Sequence, residues 1–289
     1  MTLRIQLIVT GDLERLALHL SLQRLFAPTG AAVEFLKPLK TQDFTSNRVG
    51  KILTGPAAVK SLASKLANRF VTTVYPGRRG TEQADFVIAV DDLELANADQ
   101  PAHVINYFRH AVRACVEESY SAQSAQERVY RALAERGSFH LLAPMAEAYF
   151  FGEPAALTRA KADVALNRFS PTRDVEAFEV DDSSYMALTP PTVDWAPHPR
   201  HPKNYVRYLC DPRGQLAQKE ERGYRETHAG LDALKTLDWK CVLQNPGHAA
   251  FARSLIDDIA DALNVPSPCP GPGSPLTARG AGEGLLRNI

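Results

Sequence analysis

The chain has 289 residues, 45% hydrophobic and 23% charged, enough to bury a sizeable core as one large domain or two modest ones. Lysine plus arginine equals aspartate plus glutamate at 33 each, which excludes a global basic footprint for nucleic acid but leaves room for a local patch. The cysteines at 115, 210, 241 and 269 form no Cys-x-x-Cys pair, arguing against a zinc site or disulfide framework and fitting a reducing cytoplasm, and no apolar span is long enough for a membrane helix.

The first predicted element is a strand, Leu3 to Val9, too short and too closely followed by charge to be a signal-peptide core. A turn at Thr10 and Gly11 leads to a helix from Asp12, a candidate N-cap, to Phe26. Leu13, Leu16, Ala17 and Leu20 mark one apolar face, and Leu18, Leu22 and Leu25 a second. Apolar residues on two sides place this helix between a sheet and something else, the βα geometry of an α/β fold. Ala32 to Leu36 predicts the next strand, Lys37 to Lys51 a polar loop, and Pro56 the start of a helix. Phe70 to Tyr75 is β-rich, and residues 76–80 form a turn bearing Arg78 and Arg79.

Phe86 to Val90 reads as a strand buried on both faces, and it stops on Asp91, Asp92 and Glu94. Ligands gather at the carboxyl ends of such strands, and three carboxylates this close are best tolerated beside water or a divalent cation. The alternative is a turn with a solvated acidic rim. Pro101 opens a helix whose Ile105, Phe108, Val112 and Cys115 share a stripe; Ala125 to Glu135 is helical, and Ser138 to Leu142 is a strand. Met145 to Gly152 is a short apolar helix whose Glu147 is either a surface residue or a buried acid facing a site.

Residues 169–201 predict a long functional or mobile loop, with the acidic run Asp174, Glu176, Glu179, Asp181 and Asp182 as a solvated face. His198 and His201 lack metal-ligand spacing and are read as contact or surface groups. Helices follow at 204–210, 227–237 and 247–263. The Pro- and Gly-rich residues beyond Asn264 predict a disordered tail. No Gly-x-Gly-x-x-Gly, Walker-type loop or Gly-x-Ser-x-Gly elbow occurs, so nucleotide hydrolysis by this chain is not expected.

Several motifs resemble those of Toprim-like proteins of the OLD-nuclease type. Ile8-Val-Thr-Gly-Asp-Leu-Glu14 is similar to the opening Val-Glu-Gly-x-Thr-Glu signature, and Asp91-Asp92-Leu93-Glu94 to the acidic second motif. Residues 144–154 around Glu147 are similar to a Glu-Ala-Trp-Leu segment, 201–205 around Lys203 to a Pro-Lys-x-Tyr segment, and 224–237 with 252–255 to the closing helices. The resemblance, to the branch found beside ATPases in bacterial defence and mobile loci, spans residues 3 to 263. It implies a Toprim-like, mostly parallel α/β core over 1–143, a mainly helical region over 144–263, an ATPase partner and a nucleic-acid substrate in the cytoplasm.

Phosphodiester cleavage needs one or two Mg²⁺ or Mn²⁺ ions, and hard cations want clustered carboxylates on rigid strand ends. Glu14, Asp91, Asp92 and Glu94 are the candidate metal ligands, with Asp91 and Asp92 both open as the first of the strand-end pair. Lys203 is the candidate for neutralising charge on phosphate, and the resemblance adds Glu147 to the site. Arg78, Arg79, Arg200 and Arg207 are candidate backbone contacts. Thr10 stands where the resemblance implies a glutamate. Two expectations follow: a metal-dependent nuclease component, or a catalytically weakened binding or regulatory subunit.

Overall fold

The computed structural model describes residues 2–52, 56–76, 84–189, 192–215 and 223–289, and the side chains of these except within 51–62. In chain order, β1 (Leu3–Val9), α1 (Asp12–Phe26), β2 (Val33–Phe35), β3 (Leu39–Lys40), α2 (Val49–Ile52) and α3 (Pro56–Val74) lead to β4 (Phe86–Asp92). Then come α4 (Pro101–Ser119), α5 (Gln123–Arg136) and β5 (Gly137–Leu142). Every strand pairing is parallel, in the order β2-β1-β4-β5, with β3 also pairing β1. The fold is therefore α/β, a parallel sheet flanked by helices.

Both β2 and β3 run along the same edge of β1. Pro38 has no N–H to give to the ladder and separates them, and Gln6 fills the gap by donating its side-chain amide to the Lys37 carbonyl at 2.9 Å. The continuous apolar run of β4 hides an alternation. Phe86, Ile88 and Val90 join one core with α1, while Val87 and Ala89 join the other with α3, α4 and α5. A strand covered on both faces has no polar side to show, which is why it reads as unbroken hydrophobicity.

Most of the remaining chain adds to the first of these cores. It comprises a 3-10 stretch (Ala146–Gly152), α6 (Pro154–Arg159), α7 (Ser183–Met186), α8 (Pro202–Cys210) and a π-helical turn (Glu226–Gly230). After these come α9 (Leu231–Lys235), α10 (Trp239–Val242) and α11 (Ala250–Ala262). α1 is held between the sheet and α9, as its two apolar sides predict, though Leu20 faces solvent. No helix among the described residues is long and apolar enough to cross a membrane.

Four expectations change. The β-rich stretch at Phe70 lies in α3, where Phe70, Val71 and Val74 pack on the core; tertiary contact overrides β propensity there. Asp12 is the first residue of α1 and not its cap; its carboxylate instead pairs with Arg15 and Lys40. Much of the acidic run caps helices and is not a solvated face. Glu176 is half-buried and accepts the Phe251 and Ala252 N–H groups that open α11, and Asp182 caps α7.

The fourth change concerns the tail. Buried Arg253 on α11 donates to the carbonyls of Leu243, Asn245, His248, Cys269 and Pro270, tying the proline-rich segment to the helix. Further on, Asn288 brackets β5 by bonding both the N–H and the carbonyl of Phe139, while Leu285, Leu286 and Ile289 enter the second core. Side-chain-to-backbone bonds supply the order that a low apolar content cannot.

Candidate functional site

β1 leads through α1 to β2 on one side, whereas β4 leads through α4 and α5 to β5 on the other. The chain thus leaves the carboxyl ends of β1 and β4 in opposite directions, opening the crevice in which α/β sheets bind ligands. A cleft of about 300 Å³ lies here. Gly11, Leu13 and Glu14 line it from the β1 side, Asp92 and Glu94 from the end of β4, Asp43 from the loop after β3, and Met145, Glu147, His201, Lys203, Asn204, Arg207 and Glu226 from the chain after β5.

The turn after β1 sets the position of Glu14, which sits in the first turn of α1 with its carboxylate folded back over Gly11. A methyl group on Gly11 would lie 1.8 Å from Glu14 Oε2, so only glycine leaves room. At the end of β4, Leu93 and Glu94 donate their N–H groups to the carbonyls of Leu142 and Pro144, stitching the two strand ends together. Glu94 pays for this with φ 61° and ψ 153°, a region almost reserved for glycine. Asn97 in the next turn is buried and bonds the Thr45 and Asn47 carbonyls and the Val49 N–H, which fixes the loop carrying Asp43.

Strand alternation separates the two aspartates. Asp92 falls on the face of Ile88 and Val90 and lines the cleft. Asp91 falls on the opposite face, where it is buried and accepts hydrogen bonds from the hydroxyls of Thr10 and Thr45. Burial raises the Asp91 carboxyl to about 7 against the pull of the Thr10 hydroxyl.

Six carboxylates line the cleft against Lys203 and Arg207. Burial, reinforced by Glu147, raises Glu14 to about 8. Burial and the charges of Glu14 and Glu94 push Asp92 well above the usual carboxylate range, and burial with Glu147 brings Glu94 to about 7. Glu147 is raised by burial against the opposing effect of Lys203, and it accepts the Tyr224 hydroxyl at 3.0 Å. Lys203 is held by an ion pair with Glu226 from the π-helical turn, and the charges of Glu147 and Glu226 keep it protonated despite burial.

Two enclosed oxygens, Glu14 Oε2 and Asp92 Oδ1, have no hydrogen-bond donor. A buried anionic oxygen without a donor must hold a proton or meet a cation, and an all-oxygen donor set suits Mg²⁺ or Mn²⁺. Among the described residues no three His, Cys, Asp or Glu side chains already surround one ion position, so binding would draw the carboxylates inward.

Of the residues singled out from sequence, the cleft brings together Glu14, Asp92, Glu94, Glu147, Lys203 and Arg207. It does not include Asp91, which is turned to the other face. Arg200 is also outside: it is exposed and pairs with Glu179. Arg78 and Arg79 lie outside the described residues. Asp43, Tyr224 and Glu226 were not singled out, because each is a lone polar residue in an irregular segment where no periodicity betrays its direction. Comparison with protein-family models, curated proteins and solved structures finds no match to this chain.

Proposed function

We propose that this cleft binds a divalent cation and hydrolyses phosphodiesters, as a Toprim-like nuclease component. The observation that carries the reading is the pair of donorless buried oxygens, Glu14 Oε2 and Asp92 Oδ1, on two residues that line a cleft with Lys203. Glu14, Asp92 and Glu94 would hold the ion, which when bound supplies Lewis acidity toward the phosphate. Lys203 offsets negative charge developing on phosphate oxygens, and Arg207 on the same helix lies within the same wall. Glu147, oriented by Tyr224 and made more basic by burial, would as its carboxylate take a proton from the attacking water. By the sequence resemblance, an ATPase partner belongs to this proposal, testable by whether cleavage requires a co-purifying ATPase.

The second reading is a binding or regulatory subunit without cleavage. Two features favour it: no three ligands are preassembled among the described residues, and Thr10, at the position of the implied glutamate, bonds Asp91 away from the cleft. Incubating the purified chain with single- and double-stranded DNA and RNA in Mn²⁺ separates the two. Cleavage abolished by Asp92→Asn and Glu147→Gln supports the nuclease. Cation binding without cleavage supports the second reading.

A further inference from the structure

His201 occupies the wall of the cleft directly before α8, beside Lys203 and Arg207. Its ring caps the helix: Nδ1 accepts the Asn204 N–H at 3.4 Å. An imidazole nitrogen that accepts from an amide must present its lone pair, so the ring proton of the neutral form resides on Nε2. Among the described residues Nε2 has no hydrogen-bond partner. The capping bond thus holds, in a residue of the cleft wall, a ring whose Nε2 has no protein partner.

The surroundings keep this ring neutral. Burial, helped by the charges of Lys203, Arg207 and His198, lowers His201 to about 4. A neutral imidazole is a poor proton donor in catalysis but a good hydrogen-bond donor, and it adds no charge that would compete with a cation for the carboxylates. Of the other polar groups on this wall, Lys203 pairs with Glu226, and Arg207 donates one N–H to Asn204 at 3.0 Å. The N-terminal residues of the nine-residue α8, the positive end of its dipole, also lie in the cleft wall.

We infer that His201 is a substrate-binding residue whose Nε2–H donates to an oxygen of a phosphate group seated between the α8 wall and the carboxylates. The inference rests on the phosphoryl reading above and names the group that orients the phosphate. No proton is transferred: the ring keeps one tautomer throughout, with Nδ1 on the helix and Nε2–H on the ligand.

The test uses the full chain labelled with ¹⁵N-histidine, with the His201 resonances assigned by their loss in His201→Ser. At neutral pH the two-bond ¹H–¹⁵N correlation is expected to show one lone-pair nitrogen and one protonated nitrogen in the Nε2–H pattern. Inorganic phosphate added after Mg²⁺ is expected to shift the Nε2 signal. His201→Ser, which retains a capping oxygen, is expected to keep the melting temperature and weaken phosphate binding about tenfold, the scale of one hydrogen bond to a charged group. His201→Asn keeps both an acceptor and a donor and is expected to bind more tightly than the serine variant. An Nδ1–H pattern, phosphate binding that leaves Nε2 unmoved, or equal affinity in His201→Ser would overturn the inference while leaving the cation reading intact. Absence of any response to Mg²⁺ strikes the cation reading instead, and phosphate added alone then decides the role of His201 by the same shift.

Discussion

Replacing Glu14 by glutamine should make the metal-free protein more stable at pH 8 and leave it nearly unchanged at pH 5. In the folded protein the Glu14 carboxyl titrates at about 8, against an ordinary value of 4.5. For an acid raised by folding, the native state holds a proton that the unfolded chain has released, so stability falls as pH rises from 4.5 toward 8. Integrated over that interval the loss approaches ~4 kcal/mol at pH 8 and is ~1 kcal/mol at pH 5. These are upper values, because part of the shift comes from the charges of Glu147 and Glu226. Glutamine keeps the shape over Gly11 and carries no charge, but its enclosed amide lacks a partner at a cost of ~1 kcal/mol. The expected net gain is therefore ~2 to 3 kcal/mol at pH 8 and about zero at pH 5. Urea unfolding with a chelator at both pH values measures it. A variant less stable than the parent at pH 8, or a difference that does not change with pH, would refute the electrostatic account of the cleft.

Gly11→Ala forces Glu14 off its seat, because the new methyl meets Oε2 at 1.8 Å, and divalent-cation affinity measured by calorimetry should fall at least tenfold while the circular dichroism of the fold is retained. Thr10→Val removes a donor to buried Asp91 and should cost ~1 to 3 kcal/mol at pH 8 and less in acid, since losing that bond raises an already elevated acid further; cation binding in the cleft should survive, and a loss of it would contradict the placement of Asp91 on the opposite face. By the same geometry Thr10→Glu should destabilise, by setting a second carboxylate against Asp91. Arg253→Ala breaks five bonds to backbone carbonyls and should lower stability by ~3 to 5 kcal/mol and release residues 264–289 to proteolysis; a tail that stays protected would show that its apolar contacts suffice.

Much of the frame was legible because it rests on local rules. β1 and α1 begin and end where the apolar runs and the Thr10–Gly11 turn place them, and the unbroken run before Asp91 marks a strand buried on both faces. The choice between Asp91 and Asp92 was not legible. Alternation guarantees that adjacent residues face opposite ways, but only the packing of α1 and the C-terminal segments determines which face becomes the cleft. Glu226 and Asp43 reach the site through a π-helical turn and a loop, where direction depends on anchors such as Asn97 far away in sequence. The tail misled for a related reason. Composition counts the apolar surface a segment can bury, and it cannot see one buried guanidinium or one amide satisfying the backbone of a distant segment.

The claim that Glu14, Asp92 and Glu94 form a cation site meets its most direct test in Mn²⁺ titration by calorimetry at pH 7, repeated in two buffers of different ionisation enthalpy. Carboxylates raised to about 7 and above are partly protonated at that pH, so an ion entering among them must displace protons. The expected result is binding accompanied by proton release, abolished in Asp92→Asn and retained in Asp91→Asn. Binding that is absent, that releases no protons, or that depends on Asp91 and not on Asp92 would contradict the account.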